Sequence, residues 1–151
     1  MSNHLKPLGF VGIGLMGNRL VKRLIEKEYT VNIYDKNKNN LKNLTNKKRI
    51  SLSTSPAKLS QHCEIIFICV DKTESVEDVV FKESGIIKNA SKTTILVDLS
   101  TTLANKTVDF SNKLSIQKGA SWIDAPMSGG PDKALNGSLA LMIGGEKRIV
   151  K

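Results

Sequence analysis

Gly12, Gly14 and Gly17 stand in GIGLMG, directly after the apolar run Leu8–Ile13. They open the segment LMGNRLVKRLIEKE, in which Met16, Leu20 and Leu24 recur at helical spacing. Glycines so spaced between a strand and a helix suit a pyrophosphate. Gly12 permits the tight turn, Gly14 lets the backbone come close to the phosphates, and Gly17 lets the helix pack on the strand. Free amides at the helix N-terminus then face the negative charge. The bland alternative is a structural glycine turn. Asp35 ends the alternating run TVNIYD, about 18 residues beyond Gly17 and close to the roughly 20-residue offset of an acid that hydrogen-bonds an adenine-ribose diol. A carboxylate there would repel a 2′-phosphate, which favours NAD over NADP. It could equally cap the next helix, and both roles can coexist. Lys36 and Lys38 are near enough in sequence to reach a phosphate instead.

A second constellation lies near the end of the chain, in DAPMSGGPDKALNGSLALMIGG (Asp124–Gly145). It reads as a strand end, a Gly/Pro loop carrying Ser128, a short helix and a last strand, SLALMIGG. Ser128 offers a hydroxyl donor, and Gly129 and Gly130 expose backbone amides. Together they could form a small neutral anion pocket, or merely a flexible turn.

Elements that position these residues follow in alternation. Strand-like runs at Leu8–Ile13, Thr30–Asp35, Ile50–Leu52, Glu64–Val70 and Thr93–Ser100, and in ASWIDAP, are separated by helical patterns. A polar turn and short helix run to about Lys47, and Ser55-Pro56 reads as an N-cap followed by proline at the first helical position. Further helices are expected over TESVEDVVF and over Thr102–Lys118. The continuous apolar run EIIFICV suits a strand covered on both faces. The expected fold class is therefore α/β, with a mainly parallel, doubly wound sheet and ligands held at the carboxyl ends of its strands.

Composition narrows the function classes. The 151 residues, 40% apolar and 25% charged, fit one ordinary globular domain over 1–151. The formal charge is +9, but the basic residues are scattered apart from NKKR, and aromatics are only 5%. Nucleic-acid binding is not expected, because net charge alone speaks to solubility and non-specific contact. No apolar run approaches the roughly 20 residues of a membrane span. The first ten residues lack a signal-peptide pattern, so a cytoplasmic location is expected. Cys63 and Cys69 are expected to be reduced core or near-site thiols, and no His/Cys cluster has zinc spacing.

FVGIGLMGNRLVKRL, DAPMSGGPDKALNGSLALMIGG and VDLSTT (Val97–Thr102), in that order, resemble the N-terminal domain of the β-hydroxyacid dehydrogenases. These include 3-hydroxyisobutyrate dehydrogenase and tartronate semialdehyde reductase (2-hydroxy-3-oxopropionate reductase), and are related to 6-phosphogluconate dehydrogenase. The resemblance implies a Rossmann-type NAD(P)-binding domain, followed in the family by an all-helical domain. It implies hydride transfer between a nicotinamide cofactor and a small 3-hydroxy acid or its semialdehyde. Gly12, Ile13, Gly14, Leu15, Met16 and Gly17 would cradle the pyrophosphate, and Asp35 would take the adenine ribose. Val70 would border the cofactor, Thr101 would lie beside its nicotinamide end, and Ser128, Gly129 and Gly130 would hold a small substrate carboxylate. Met127 stands in place of a frequent Val, Ser138 in place of Thr, and Val70-Asp71 where many members have Leu-Pro. Lys133, often Gly in the family, is similar to the tartronate semialdehyde reductase branch. Full-length members would be homo-oligomers.

The family's catalytic lysine belongs to a later motif, and neither Lys133 nor Lys151 matches it. No catalytic residue is therefore expected within this chain, and no metal. The chain is expected to be truncated before the final sheet elements and the helical domain, and inactive alone, with exposed apolar helix faces where those parts would pack. The alternative is a stand-alone NAD-binding module without catalysis.

Overall fold

Short runs rich in Ile, Val and Phe make the strands, and glycine or polar residues end most of them. The computed structural model describes residues 6–150; residues 1–5 of the N-terminal segment and Lys151 lie outside the described residues. The parallel strands are β1 (Leu8–Val11), β2 (Val31–Tyr34), β3 (Ile50–Leu52), β4 (Ile65–Ile68), β5 (Ile95–Asp98) and β6 (Ser121–Asp124). They form one six-stranded sheet in the order β3-β2-β1-β4-β5-β6. Every pairing is parallel. This is the Rossmann order, whose reversal beside β1 opens a crevice at the carboxyl ends of the strands.

Helices α1 (Leu15–Glu26), α2 (Pro56–His62), α3 (Thr73–Phe81) and α4 (Ala104–Lys118) connect the strands. The expected short helix after Asp35 is a 3-10 turn, Lys38–Leu41. Ser55 caps α2 by accepting the Lys58 N–H at 3.1 Å, with Pro56 at its first position. Two buried clusters cover the two faces of the sheet. One gathers Val11, Ile66, Ile68, Val76, Phe110 and Trp122; the other gathers Phe10, Val21, Ile33, Leu44 and Ile123.

The end of the chain departs from expectation. SLALMIGG is not a full strand. Only Ala140–Leu141 (β8) pairs, antiparallel to Met127–Ser128 (β7), in a separate two-stranded sheet. Asp124 and Gly144 then exchange backbone hydrogen bonds of 2.8 and 2.7 Å, again antiparallel. The reason lies in the connection. Helix α5 (Gly130–Asn136) ends on Gly137 in the left-handed conformation (φ +76°) and packs against α1. The chain therefore turns straight back, whereas a parallel partner needs a longer crossover. Beyond it lies the short α6 (Lys147–Val150). Leu141, Met142 and Ile143 in and just after β8 remain 47, 60 and 52% exposed.

Candidate functional site: a cavity at the carboxyl edge of the sheet

The β1–α1 turn is held by backbone geometry that only glycine allows. Gly12 has φ +94°, and a Cβ on it would collide with the Cys69 carbonyl; a Cβ on Gly17 would collide with the Gly12 carbonyl. Gly14 differs. It is the N-cap of α1, in ordinary extended conformation, with open space where a side chain would go. No acidic residue occupies the first turn of α1, and no side chain caps it. The first amides of the helix therefore point outward without intrahelical partners.

Asp35, just past β2, turns its carboxylate back on this loop. Its Oδ2 accepts from the Ile13 N–H at 2.7 Å and from Asn40 Nδ2 at 3.1 Å, and its Oδ1 accepts from the Asn37 N–H at 2.7 Å. The acid is thus a brace between the β1 and β2 turns as well as a candidate ligand. Ile13 contributes only its backbone, since its side chain lies in the core.

A cavity of about 500 Å³ opens over these turns. Gly12, Gly14, Leu15, Met16, Gly17, Asp35 and Val70 all line it, so seven of the expected cofactor residues come together. Thr101 and the Ser128–Gly130 loop do not line it. They lie further along the same edge, after β5 and after β6, exposed to solvent. Gly129 (φ +136°) and Gly130 (φ +75°) give that loop a backbone that side chains rarely adopt. Residues not expected at the cavity are Val11, Tyr34, Asn37, Asn40, Ser75, Asp78 and Val79. For Ser75 and Val79 the only signal is their spacing on α3, and for Asn40 the density of Asn after Asp35.

Beneath the β4 and β5 ends lies a buried polar network. Asp98 is fully buried; its Oδ1 accepts from the Ser100 N–H at 3.0 Å and its Oδ2 from the Thr102 hydroxyl at 2.8 Å. Ser100 Oγ in turn accepts from the Val70 N–H at 3.0 Å. This ties the cavity wall at Val70 to the turn that carries Thr101. A charged residue closing an otherwise apolar strand is the sequence signal for such a network. Burial pushes the Asp98 carboxyl above the usual carboxylate range; the bonds from Thr102 and Ser100 oppose this, and the Asp124 charge adds to it. Burial raises Asp124, its partner in register across β5 and β6, in the same direction. The Cys69 thiol is pushed up to about 11, by burial first and then by the Asp98 charge, and both cysteines are free.

The sign of the Asp98 effect is testable. Its folded carboxyl holds a proton at higher pH than the unfolded one. The linked stabilisation is thus complete below the unfolded pKa, near 3.9, and is lost as pH rises through the raised folded pKa. Asp98→Asn keeps an acceptor for Ser100 and removes the charge. Denaturant unfolding across pH 4 to 7 is expected to show a smaller loss of stability with rising pH in this variant. An unchanged slope would assign the linked proton to another group.

The sequence model for the NAD binding domain of 6-phosphogluconate dehydrogenase matches residues 7–151. The chain belongs to that family. Among curated relatives, it is 34% identical over 145 residues to the uncharacterized oxidoreductase YkwC of Bacillus subtilis, covering 94% of this chain and 49% of that protein. It is 29% identical over 143 residues to a probable mitochondrial 3-hydroxyisobutyrate dehydrogenase of Dictyostelium discoideum, covering 95% of this chain and 44% of that protein. The structure of Psf3 in complex with NADP+ and 2-OPP superposes with a TM-score of 0.86 at 25% identity, over 94% of this chain and 50% of that one. This member of the 6-phosphogluconate dehydrogenase NAD-binding family therefore spans about half the length of these relatives. Among the described residues, no helix is long and apolar enough to cross a membrane.

Proposed function

We propose that this chain binds NAD(H) as the cofactor half of a cytoplasmic oxidoreductase. That enzyme would move a hydride between the nicotinamide and a small 3-hydroxy acid or its semialdehyde, of the 3-hydroxyisobutyrate or tartronate semialdehyde type. The observation that carries the reading is the single cavity in which the open Gly14 position, the free first turn of α1, Asp35 and Val70 meet. A dinucleotide fits that chemistry. The pyrophosphate would lie on the α1 amides, and the adenine ribose would lie at Asp35. The nicotinamide would point along the sheet edge towards Thr101.

The Ser128–Gly130 loop lies beyond, on the next strand out. Neighbouring strands are about 4.8 Å apart, so the edge from β2 to β6 spans roughly 19 Å. The loop would offer neutral donors to a carboxylate held next to the nicotinamide. The second residue such a reaction needs, an acid/base for the hydroxyl oxygen, is not placed at the cavity by any described lysine other than Lys36. Lys36 follows Asp35 at the ribose end, far along the edge from Ser128. The isolated chain is accordingly expected to bind cofactor without turning over substrate.

The cofactor preference rests on Asp35. Its free acceptor capacity suits a ribose hydroxyl, and its charge opposes a 2′-phosphate, although Psf3 carries NADP+. Calorimetric titration is expected to give NAD(H) at least about tenfold tighter than NADP(H), the scale of one charge-assisted hydrogen bond gained or lost. Equal or tighter NADP(H) binding would transfer the ribose end to Lys36 and Lys38. Absence of any dinucleotide binding would remove the proposal altogether.

A further inference from the structure

The basic residues are spread along the chain, but the acids are not. Residues 36–63 carry seven Lys or Arg and no Asp or Glu, while the whole chain has a surplus of +9. We propose that this acid-free flank, the β2–β3 connection with the first turn of α2, steers the anionic dinucleotide into the cavity and captures the reduced form faster than the oxidised one; the inference rests on the dinucleotide reading above.

Position in the fold decides which of these cations can act. Lys36, Lys38 and Lys42 follow β2, and Lys58 stands in the first turn of α2, just after β3. All four therefore lie at the carboxyl edge, where the cavity opens, and all four are exposed. Among the described residues, none of the four forms an ion pair. Lys47, Lys48 and Arg49 precede β3 at the opposite edge, and Arg49 is engaged by Glu28 at 3.5 Å. They add to the net charge without facing the cavity.

Charges at the mouth itself come close to cancelling. Asp35, Asp71 and Asp78 line the cavity, as does Lys36. Asp78 is paired with Lys82 at 2.6 Å. The Ser75 hydroxyl, and after it the charges of Lys36 and Lys72, hold the Asp71 carboxyl below its usual range. Lys36, Lys72 and Lys82 thus stand against the three acids. Lys38, Lys42 and Lys58 are left as the surplus beside the mouth. Across the cavity, α3 exposes Glu74 and Glu77, so the side favoured for an incoming anion is the β2–β3 flank.

Such a surplus acts on the encounter and is screened by salt. The pyrophosphate gives both forms of the cofactor the same two negative charges. Oxidised nicotinamide carries a positive charge that the reduced ring lacks, so NAD+ has about half the net charge of NADH. The work done by the field scales with that charge. The steering of NAD+ is accordingly about the square root of the steering of NADH.

Stopped-flow association at about 10 mM and about 1 M salt tests this, because the Debye length falls from about 30 Å to about 3 Å. NADH is read by its own fluorescence and NAD+ by competition with it. The NADH association rate constant is expected to fall about tenfold between the two conditions, the low end for a steered ligand. The fall for NAD+ is then about threefold. In Lys42→Glu/Lys58→Glu, neither of which lines the cavity, the fall for NADH should shrink to within about twofold while its dissociation rate stays unchanged. Equal salt dependence for the two forms overturns the inference and leaves the dinucleotide reading intact. So does a variant that keeps the tenfold fall, or one that alters dissociation instead. If neither form binds, both readings fall together.

Discussion

Gly14→Val is expected to fold almost normally and to lose dinucleotide binding by about a hundredfold or more. Gly14 is already in an extended conformation, and nothing lies within 4 Å of where its side chain would begin. The cost to the fold is limited to a poorer N-cap, about 1 kcal/mol. For a chain of this size that is a fall in Tm of roughly 2 to 4 °C. The open space, however, is where the phosphates would lie, and an isopropyl group would keep them off the α1 amides. Loss of two such charge-assisted bonds, at about 1.5 to 3 kcal/mol each, exceeds a factor of a hundred. Calorimetry beside a thermal melt separates the two effects. Retained binding in Gly14→Val would show that the first turn of α1 does not hold the ligand.

Gly17→Ala should do the reverse, damaging the fold first. A single methyl there meets the Gly12 carbonyl oxygen, which belongs to the backbone and cannot swing aside like a side-chain tip. The helix must lift from β1, which disturbs Val21, Phe10 and the cluster around them. Overpacking against backbone costs about 3 kcal/mol, near the upper end for an inserted methyl, or roughly 10 °C in Tm. Saturating NAD+ should recover only part of it. A melt within about 2 °C of the unchanged chain would mean that α1 is free to slide, and that the close approach at Gly17 does not set its position.

The contrast between these glycines shows what was legible in the sequence. The spacing GIGLMG encodes backbone events, so it specifies the turn, the helix start and the close contact. The parallel sheet was legible for a similar reason, because apolar runs such as EIIFICV and TTILVDLS leave little doubt about which segments are buried. SLALMIGG was read as a whole strand, whereas only Ala140–Leu141 pairs, because an apolar run does not reveal how much of it finds a partner. That extent follows from α5 packing on α1 and the left-handed Gly137. The Asn40 contact to Asp35, the Ser75 bond to Asp71 and the link from Ser100 to Val70 depend on how turns meet in space. Nothing in the local sequence fixes those meetings. The candidate cavity was therefore visible as a row of positions, while its rim was not.

The brace from Asp35 to the Ile13 amide has a consequence for how cofactor choice could drift during descent. The carboxylate proposed to take the ribose also fastens the glycine turn by itself. A lineage that exchanged Asp35 for a small neutral residue to admit a 2′-phosphate would unfasten the turn in the same step. The amides of Ile13 and Asn37 would lose their acceptor, and the newly admitted ligand would have to order a looser loop. Neutral single-step exchange is thus closed off. The accessible route runs through a prior change that supplies a substitute acceptor for Ile13, after which the acid becomes dispensable.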